Sequence, residues 1–157
     1  MDETGSAEDL AQRTEPGSYV LTADGGIVAS QGQPSGEASI GVLLRTPKLA
    51  VLDEISKGIG WAQDHHVAEF KALIAGLQLA LAHGIGYLRV FLDSELVVNS
   101  VNDDTGLRPE HLIPLRNEAQ ELKGRFPNIK IAWVPREWNK EADERASRPL
   151  AGLRSKS

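Results

Sequence analysis

Residues 18–24, SYVLTAD, form a short apolar run; after the glycine-rich stretch GGIVASQGQPSG, residues 37–46, EASIGVLLRT, form another. A Thr46-Pro47-Lys48 turn leads into a third extended segment at 49–61, so the first part of the chain predicts three antiparallel strands. The period then changes. Between residues 64 and 83, Val67, Phe70, Leu73, Ile74, Leu77, Ala80 and Leu81 recur at three- and four-residue spacing, which predicts a helix with one buried face. His83 and Gly84 close it, with Gly84 as the residue just past the cap, and YLRVFLD at 87–93 is a fourth strand. A short helix at 94–102, a longer one at 110–125 ending before Pro127, a fifth strand at 128–134 and a last helix at 139–147 complete the pattern.

Three strands followed by alternating helix and strand predict an α/β fold: a five-stranded mixed sheet, three antiparallel strands then two parallel ones, flanked by helices. The first and fourth strands are natural parallel neighbours across a long crossover. Residues 1–17 lack apolar periodicity and are expected to form a disordered N-terminal tail; residues 18–150 form one domain, and 151–157 a C-terminal tail.

Composition narrows the chemistry by exclusion. Without cysteine there is no disulfide, thiolate metal site or cysteine nucleophile. No window approaches the roughly 18 consecutive apolar residues of a membrane span, and the acidic N-terminus is unlike a signal peptide, so the expectation is a cytoplasmic protein off the membrane, with a monomer as the default. A net charge of −5 argues against holding nucleic acid by bulk electrostatics, so any nucleic-acid role must account for the acids.

The carboxylates fall at telling places. Asp24 ends the first predicted strand and Asp93 the fourth; if these strands are parallel neighbours, the two acids stand about 5 Å apart at the edge where open sheets bind ligands. Each alone reads first as a cap or turn residue, and it is the shared location that shifts the balance. Glu69 borders the apolar face of the long helix, past its first turn when Asp64 is the N-cap, and Asp143 borders a small-residue strip, Ala142 and Ala146, in the last helix, for which Asn139 is the N-cap. Carboxylates this close repel one another unless they share a proton or hold a cation, and a hard divalent ion such as Mg²⁺ or Mn²⁺ suits an oxygen donor set.

The ordered set TADGG, AEFKALIAGLQLAL, FLDSELVVNSV and WVPREWNKEADERA resembles ribonuclease H type 1, covering most of the chain from Tyr19 to Ala146. The resemblance implies the RNase H-like fold and an endonuclease that hydrolyses the RNA strand of an RNA/DNA hybrid with two Mg²⁺ ions, Mn²⁺ being a possible substitute. By position Asp24 would bridge both ions, Glu69 and Asp93 would hold the ion nearer the leaving group, and Asp143 the ion that activates water. Glu69 would also reach the 2′-hydroxyl beside the scissile phosphate. Other readings left open are another two-metal nuclease of the same fold, acting on double-stranded RNA or as an exonuclease, and a catalytically silent hybrid-binding module.

Departures from the family mark the substrate-binding residues. Where relatives have Thr-Asn-Asn, this chain has Asp64, His65 and His66; the histidines can still donate hydrogen bonds to a nucleic-acid strand, but neighbouring helical side chains point about 100° apart and rarely chelate one ion. The loop before the last helix reads PREWN, like the branch of the family with an arginine in place of a histidine, so Arg136 is expected to meet phosphate, Trp138 to stack on the nucleic acid or pack, and Asn139 to contribute nearby. The basic protrusion of some relatives is missing, which predicts weaker hybrid affinity and a smaller salt slope. The loop from Gly25 to Gly36 is longer than the family pattern; its glycines, Gly25 first, would let the backbone approach the minor groove, and a flexible hairpin loop fits equally well.

Overall fold

The computed structural model describes residues 10, 12–103, 107 and 109–154. Its centre is a five-stranded sheet of β1 (Tyr19–Ala29), β2 (Gly36–Arg45), β3 (Val51–Ala62), β4 (Tyr87–Leu92) and β5 (Asn128–Trp133) in the order β3-β2-β1-β4-β5. β1, β2 and β3 pair antiparallel, whereas β4 runs parallel to β1 and to β5, as the sequence pattern predicts. The helices are α1 (His65–Ala82), α2 (Glu95–Asn102), α3 (Ile113–Lys123), α4 (Lys140–Ser147) and a terminal turn, α5 (Ala151–Arg154). None of those described is long and apolar enough to cross a membrane.

Local chemistry sets the helix ends. The Asp64 side chain accepts from Val67 N at 3.1 Å to open α1. At the other end Gly84 adopts φ +73°, with Gly84 N–H donating to Leu81 O and Ile85 N–H to Ala80 O, the paired bonds of a glycine stop. Ser94, not Asp93, caps α2 by accepting from Val97 N. The predicted 110–125 helix is divided: residues Glu110–Leu112 form a 3₁₀ turn, and α3 proper begins at Ile113 with Pro114 in its first turn, where a missing N–H costs least.

The main core lies on one face of the sheet, where Phe70, Leu73 and Leu77 of α1, Val97 and Val101 of α2 and Leu122 of α3 meet Leu21, Ile40, Val42, Leu88 and Val90. The other face is covered by α4 and by the N-terminal segment. That segment corrects the sequence reading. Although residues 1–9 and 11 lie outside the described residues, Leu10 is buried against Val20, Phe91, Val134 and Trp138, and Glu15 pairs with Arg89 and Lys130. A single apolar residue has no periodicity to reveal it. At the other end, residues 148–150 form a 3₁₀ turn with Leu150 buried and α5 follows, so the first four residues of the expected C-terminal tail are helical; residues 155–157 lie outside the described set.

β1 is also longer than expected. Its pairing with β2 continues from Asp24↔Gly41 to Ala29↔Gly36, so Gly25 and Gly26 belong to the strand and the expected 25–36 loop shrinks to residues 30–35. The glycines serve packing rather than a turn. A Cβ on Gly25 would lie 2.3 Å from Ala68 C, and one on Gly41 would lie 2.2 Å from Ala142 O. Helix backbone therefore rests directly on strand backbone, α1 on one face and α4 on the other.

Candidate active site

The parallel register of β1 and β4 runs through Thr22↔Phe91. Continued by two residues, it brings Asp24 level with Asp93, which follows the last residue of β4. Asp24 sits opposite Gly41 in the hairpin and so shares the face on which α4 rests, the helix that carries Asp143. Glu69 arrives from the other face, one residue after Ala68, where α1 is seated on Gly25. The two glycine contacts thus fix how far each helix-borne acid stands from the strand-borne pair.

The result is a tight cluster. Carboxylate oxygens of Asp24, Glu69 and Asp93 lie within 4.8 Å of one another, and Asp143 lines the same cavity beside Asp24. They line an open cavity of about 270 Å³ together with Gly25, His65 and Arg136. Burial, then the charge of Asp93, the close approach and charge of Asp143 and the charge of Glu69 push the Asp24 carboxyl up to about 9. Burial and the Glu69 charge also raise Asp93, while a hydrogen bond from Asn139 and the positive charge of Arg136 draw it back. A proton shared among crowded acids is one way to relieve such repulsion; divalent cations are the other, and an all-carboxylate donor set suits hard ions.

Neighbouring groups hold the frame. Asn139 is 1% exposed, and its amide donates to Ala23 O at 2.9 Å, tying the start of α4 to the residue before Asp24. It stands at the N-cap position of α4 without a side-chain cap bond, and the side chain the sequence placed at the nucleic-acid surface is buried here. α4 is further pinned by Arg45 to Glu141 at 2.9 Å, Arg145 to Glu54 at 2.9 Å, and the Ser39 hydroxyl donating to Ala146 O. Trp138 is half-buried, packed on the Leu10 cluster with the Arg13 guanidinium 4.0 Å over its ring, which makes it a packing residue in this arrangement. Arg136 is exposed at the cavity and also lines a second depression of about 260 Å³ with Glu137, Lys140 and Asp143.

His65 and His66 both turn toward Glu69, at 3.6 and 3.0 Å, and His65 Nε2 lies 3.2 Å from Gly25 O. Gly25 therefore contributes to the cavity wall while its carbonyl is engaged by His65. Sequence reasoning missed His111, whose Nε2 is 2.7 Å from the second oxygen of the capping Asp64. No spacing rule joins residues 47 positions apart.

Fold and site together define an α/β protein with a carboxylate cluster suited to hard cations at the ends of its parallel strands. Residues 24–148 match the family described as Reverse transcriptase-like. The chain belongs to this family, and its sheet is that of the ribonuclease H fold. It is 38% identical over 129 residues to the bifunctional protein Rv2228c of Mycobacterium tuberculosis, a match covering 82% of this chain and 34% of that protein, so the chain spans about a third of that relative's length. The solved N-terminal RNase H domain of that protein, a fusion with maltose binding protein, is 34% identical, with TM-score 0.77, over 85% of this chain and 98% of that one. LC11-RNase H1, isolated from compost by a metagenomic approach and solved in complex with an RNA/DNA hybrid, is 29% identical with TM-score 0.74, covering 86% and 98%.

Proposed function

We propose that this protein is a ribonuclease H, an endonuclease that hydrolyses the RNA strand of RNA/DNA hybrids with two Mg²⁺ ions and leaves 5′-phosphate and 3′-hydroxyl ends. The observation that carries this reading is the meeting of Asp24, Glu69 and Asp93 oxygens within 4.8 Å, with Asp143 alongside, at the open end of the parallel strands. The hybrid-bound LC11-RNase H1, of like fold, supports the choice of substrate.

Asp24, Glu69, Asp93 and Asp143 are the residues to hold the ions; when bound, such ions lower the pKa of an attacking water and stabilise the departing 3′-oxygen. The chain's own part is to aim and to admit. Glu69 and Asp93 stand together behind Asp24, and Asp143 stands at its other side on α4, giving the cluster two flanks. Arg136 at the cavity mouth is placed to meet a phosphate of the incoming strand, a charge-assisted contact in a surface that is otherwise acidic. The metal-free cluster repels phosphate, so productive binding requires the cations.

The test is incubation of labelled RNA/DNA hybrid, double-stranded RNA, single-stranded RNA and DNA with the protein in Mg²⁺, Mn²⁺ or EDTA. Metal-dependent cuts in the RNA of the hybrid are expected, and Arg136→Ala is expected to raise KM with the fold retained. Cleavage of double-stranded RNA alone, or hybrid binding without cleavage in either metal, overturns the reading.

A further inference from the structure

Adjacent histidines on a helix ordinarily diverge, yet here a third residue gathers them. Glu69 is the i+4 partner of His65 and the i+3 partner of His66, and both positions flank the same side of the first turns of α1. His65 Nδ1 lies 3.6 Å from Glu69 Oε2 and His66 Nδ1 lies 3.0 Å from Glu69 Oε1, with donor atoms from all three residues within 4.8 Å of one another. A tetrahedral zinc ion with bonds near 2.1 Å spaces its donors about 3.4 Å apart. The two observed separations, each to a different oxygen of Glu69, lie on either side of that value.

The far ring nitrogen is placed as well. His65 Nε2 faces the Gly25 carbonyl oxygen at 3.2 Å, and a carbonyl only accepts, so Nε2 carries the hydrogen and Nδ1, on the Glu69 side, is the nitrogen available to a cation. An imidazole that donates its far N–H to a backbone carbonyl is also the arrangement that fixes the tautomer and orientation of a metal-binding histidine.

We propose that His65, His66 and Glu69 form a further cation site for a borderline divalent ion of the zinc class, with its remaining position open to water. Both histidines are accessible, with side chains 51% and 41% exposed, so an ion can enter from solvent without opening the core. The donor set separates this site from the carboxylate cluster: imidazole nitrogen suits zinc and cobalt, whereas Mg²⁺ prefers oxygen. Glu69 belongs to both groups. An ion held by the histidines takes a carboxylate that the acid cluster needs, so zinc at this site acts as an antagonist of the cleavage proposed above, and that consequence alone rests on the ribonuclease H reading.

Zn²⁺ binding to the full chain, measured by calorimetry in excess Mg²⁺ with Co²⁺ absorption as the report on ligand type, tests the site directly. One Zn²⁺ per chain is expected in the wild type and in Asp24→Asn, with a Co²⁺ spectrum of low coordination number. His65→Gln and His66→Gln, which retain a side-chain amide, should each weaken Zn²⁺ by at least roughly tenfold with thermal melting unchanged. Two results overturn the proposal: no Zn²⁺ uptake in the presence of Mg²⁺, which leaves a simple protonated histidine–glutamate pair, or uptake that survives both histidine substitutions and vanishes in Asp24→Asn. The activity arm is separate. Zn²⁺ should slow Mg²⁺-dependent hybrid cleavage; a protein that binds Zn²⁺ through the histidines but cuts no hybrid in Mg²⁺ alone refutes the ribonuclease reading and leaves the site intact.

Discussion

The two ends of β4 carry buried charge in opposite ways. Near its start Arg89 is 4% exposed; its Nη1 donates to Leu88 O, and its Nη2 lies 3.0 Å from Glu15 Oε1, close enough to pair though without hydrogen-bond geometry. Just past its end Asp93 meets Glu69, Asp24 and Asp143. One charge is given its opposite, the other its like. A fold has every reason to pair a buried cation, because an unpaired one is costly; crowded like charges in a cleft are the mark of a functional site.

The pH signs at the two ends are opposed as well. Asp24, raised from 3.8 to about 9, keeps its proton in the folded state across a window in which the unfolded chain has lost it. Its penalty is absent below the unfolded value and grows as pH rises through 3.8 toward 9, so the metal-free protein should lose stability over that range. Glu15 is lowered by Arg89 and Lys130, so its contribution is present above its ordinary value of 4.5 and is lost as pH falls through the folded value.

The sharpest way to break the comparison is Asp24→Asn. Cleavage of hybrid should fall by at least about a thousandfold, on the scale of removing a preorganised contact to a developing charge, while melting in EDTA at pH 8 rises by about 2–4 °C or more and loses its downward slope with pH. Wild-type activity in this variant would refute the site. Next in size, Gly25→Ala forces the α1 backbone from β1 and should cost about 3 kcal/mol, read by urea unfolding, with activity lost in the folded fraction because Glu69 moves. Leu10→Ala empties the packing beside Trp138 and should cost about 2 kcal/mol without abolishing cleavage. Smallest is Glu15→Gln, whose melting loss should appear at neutral pH, shrink with added salt and vanish toward pH 3; an effect independent of salt would show that the contact is not electrostatic.

Most of the frame at the acid end was legible. Asp24 and Asp93 each follow a β run, Glu69 and Asp143 each border a small or apolar helix face, and the order of the segments implies that parallel strands bring them together. The basic end was not, because Glu15 and Leu10 stand in a polar stretch with no period, and apart from Val20 their partners are more than 70 positions away in the chain. Gly25 and Gly26 were read as a loop because Gly-Gly is a turn signal; the pressure of two helix backbones on the strand is a tertiary fact with no local trace. Asn139 and Trp138, read from the sequence as surface residues of the loop before α4, face inward, since one ties α4 to β1 and the other roofs the Leu10 cluster. His65 and His66 diverge as a helical pair, and only Glu69, one turn further along, brings them to a common point.

The contacts at Gly25 and Gly41 also bear on how this protein tolerates change. Where layers are spaced by side chains, every substitution in the core shifts the layers slightly. Where backbone touches backbone, a hard stop sets the spacing, and side chains around it are free to drift. The separation of Glu69 and Asp143 from Asp24 is thereby insulated from repacking elsewhere in α1 and α4, so the interior can diverge widely while the carboxylates keep their gauge.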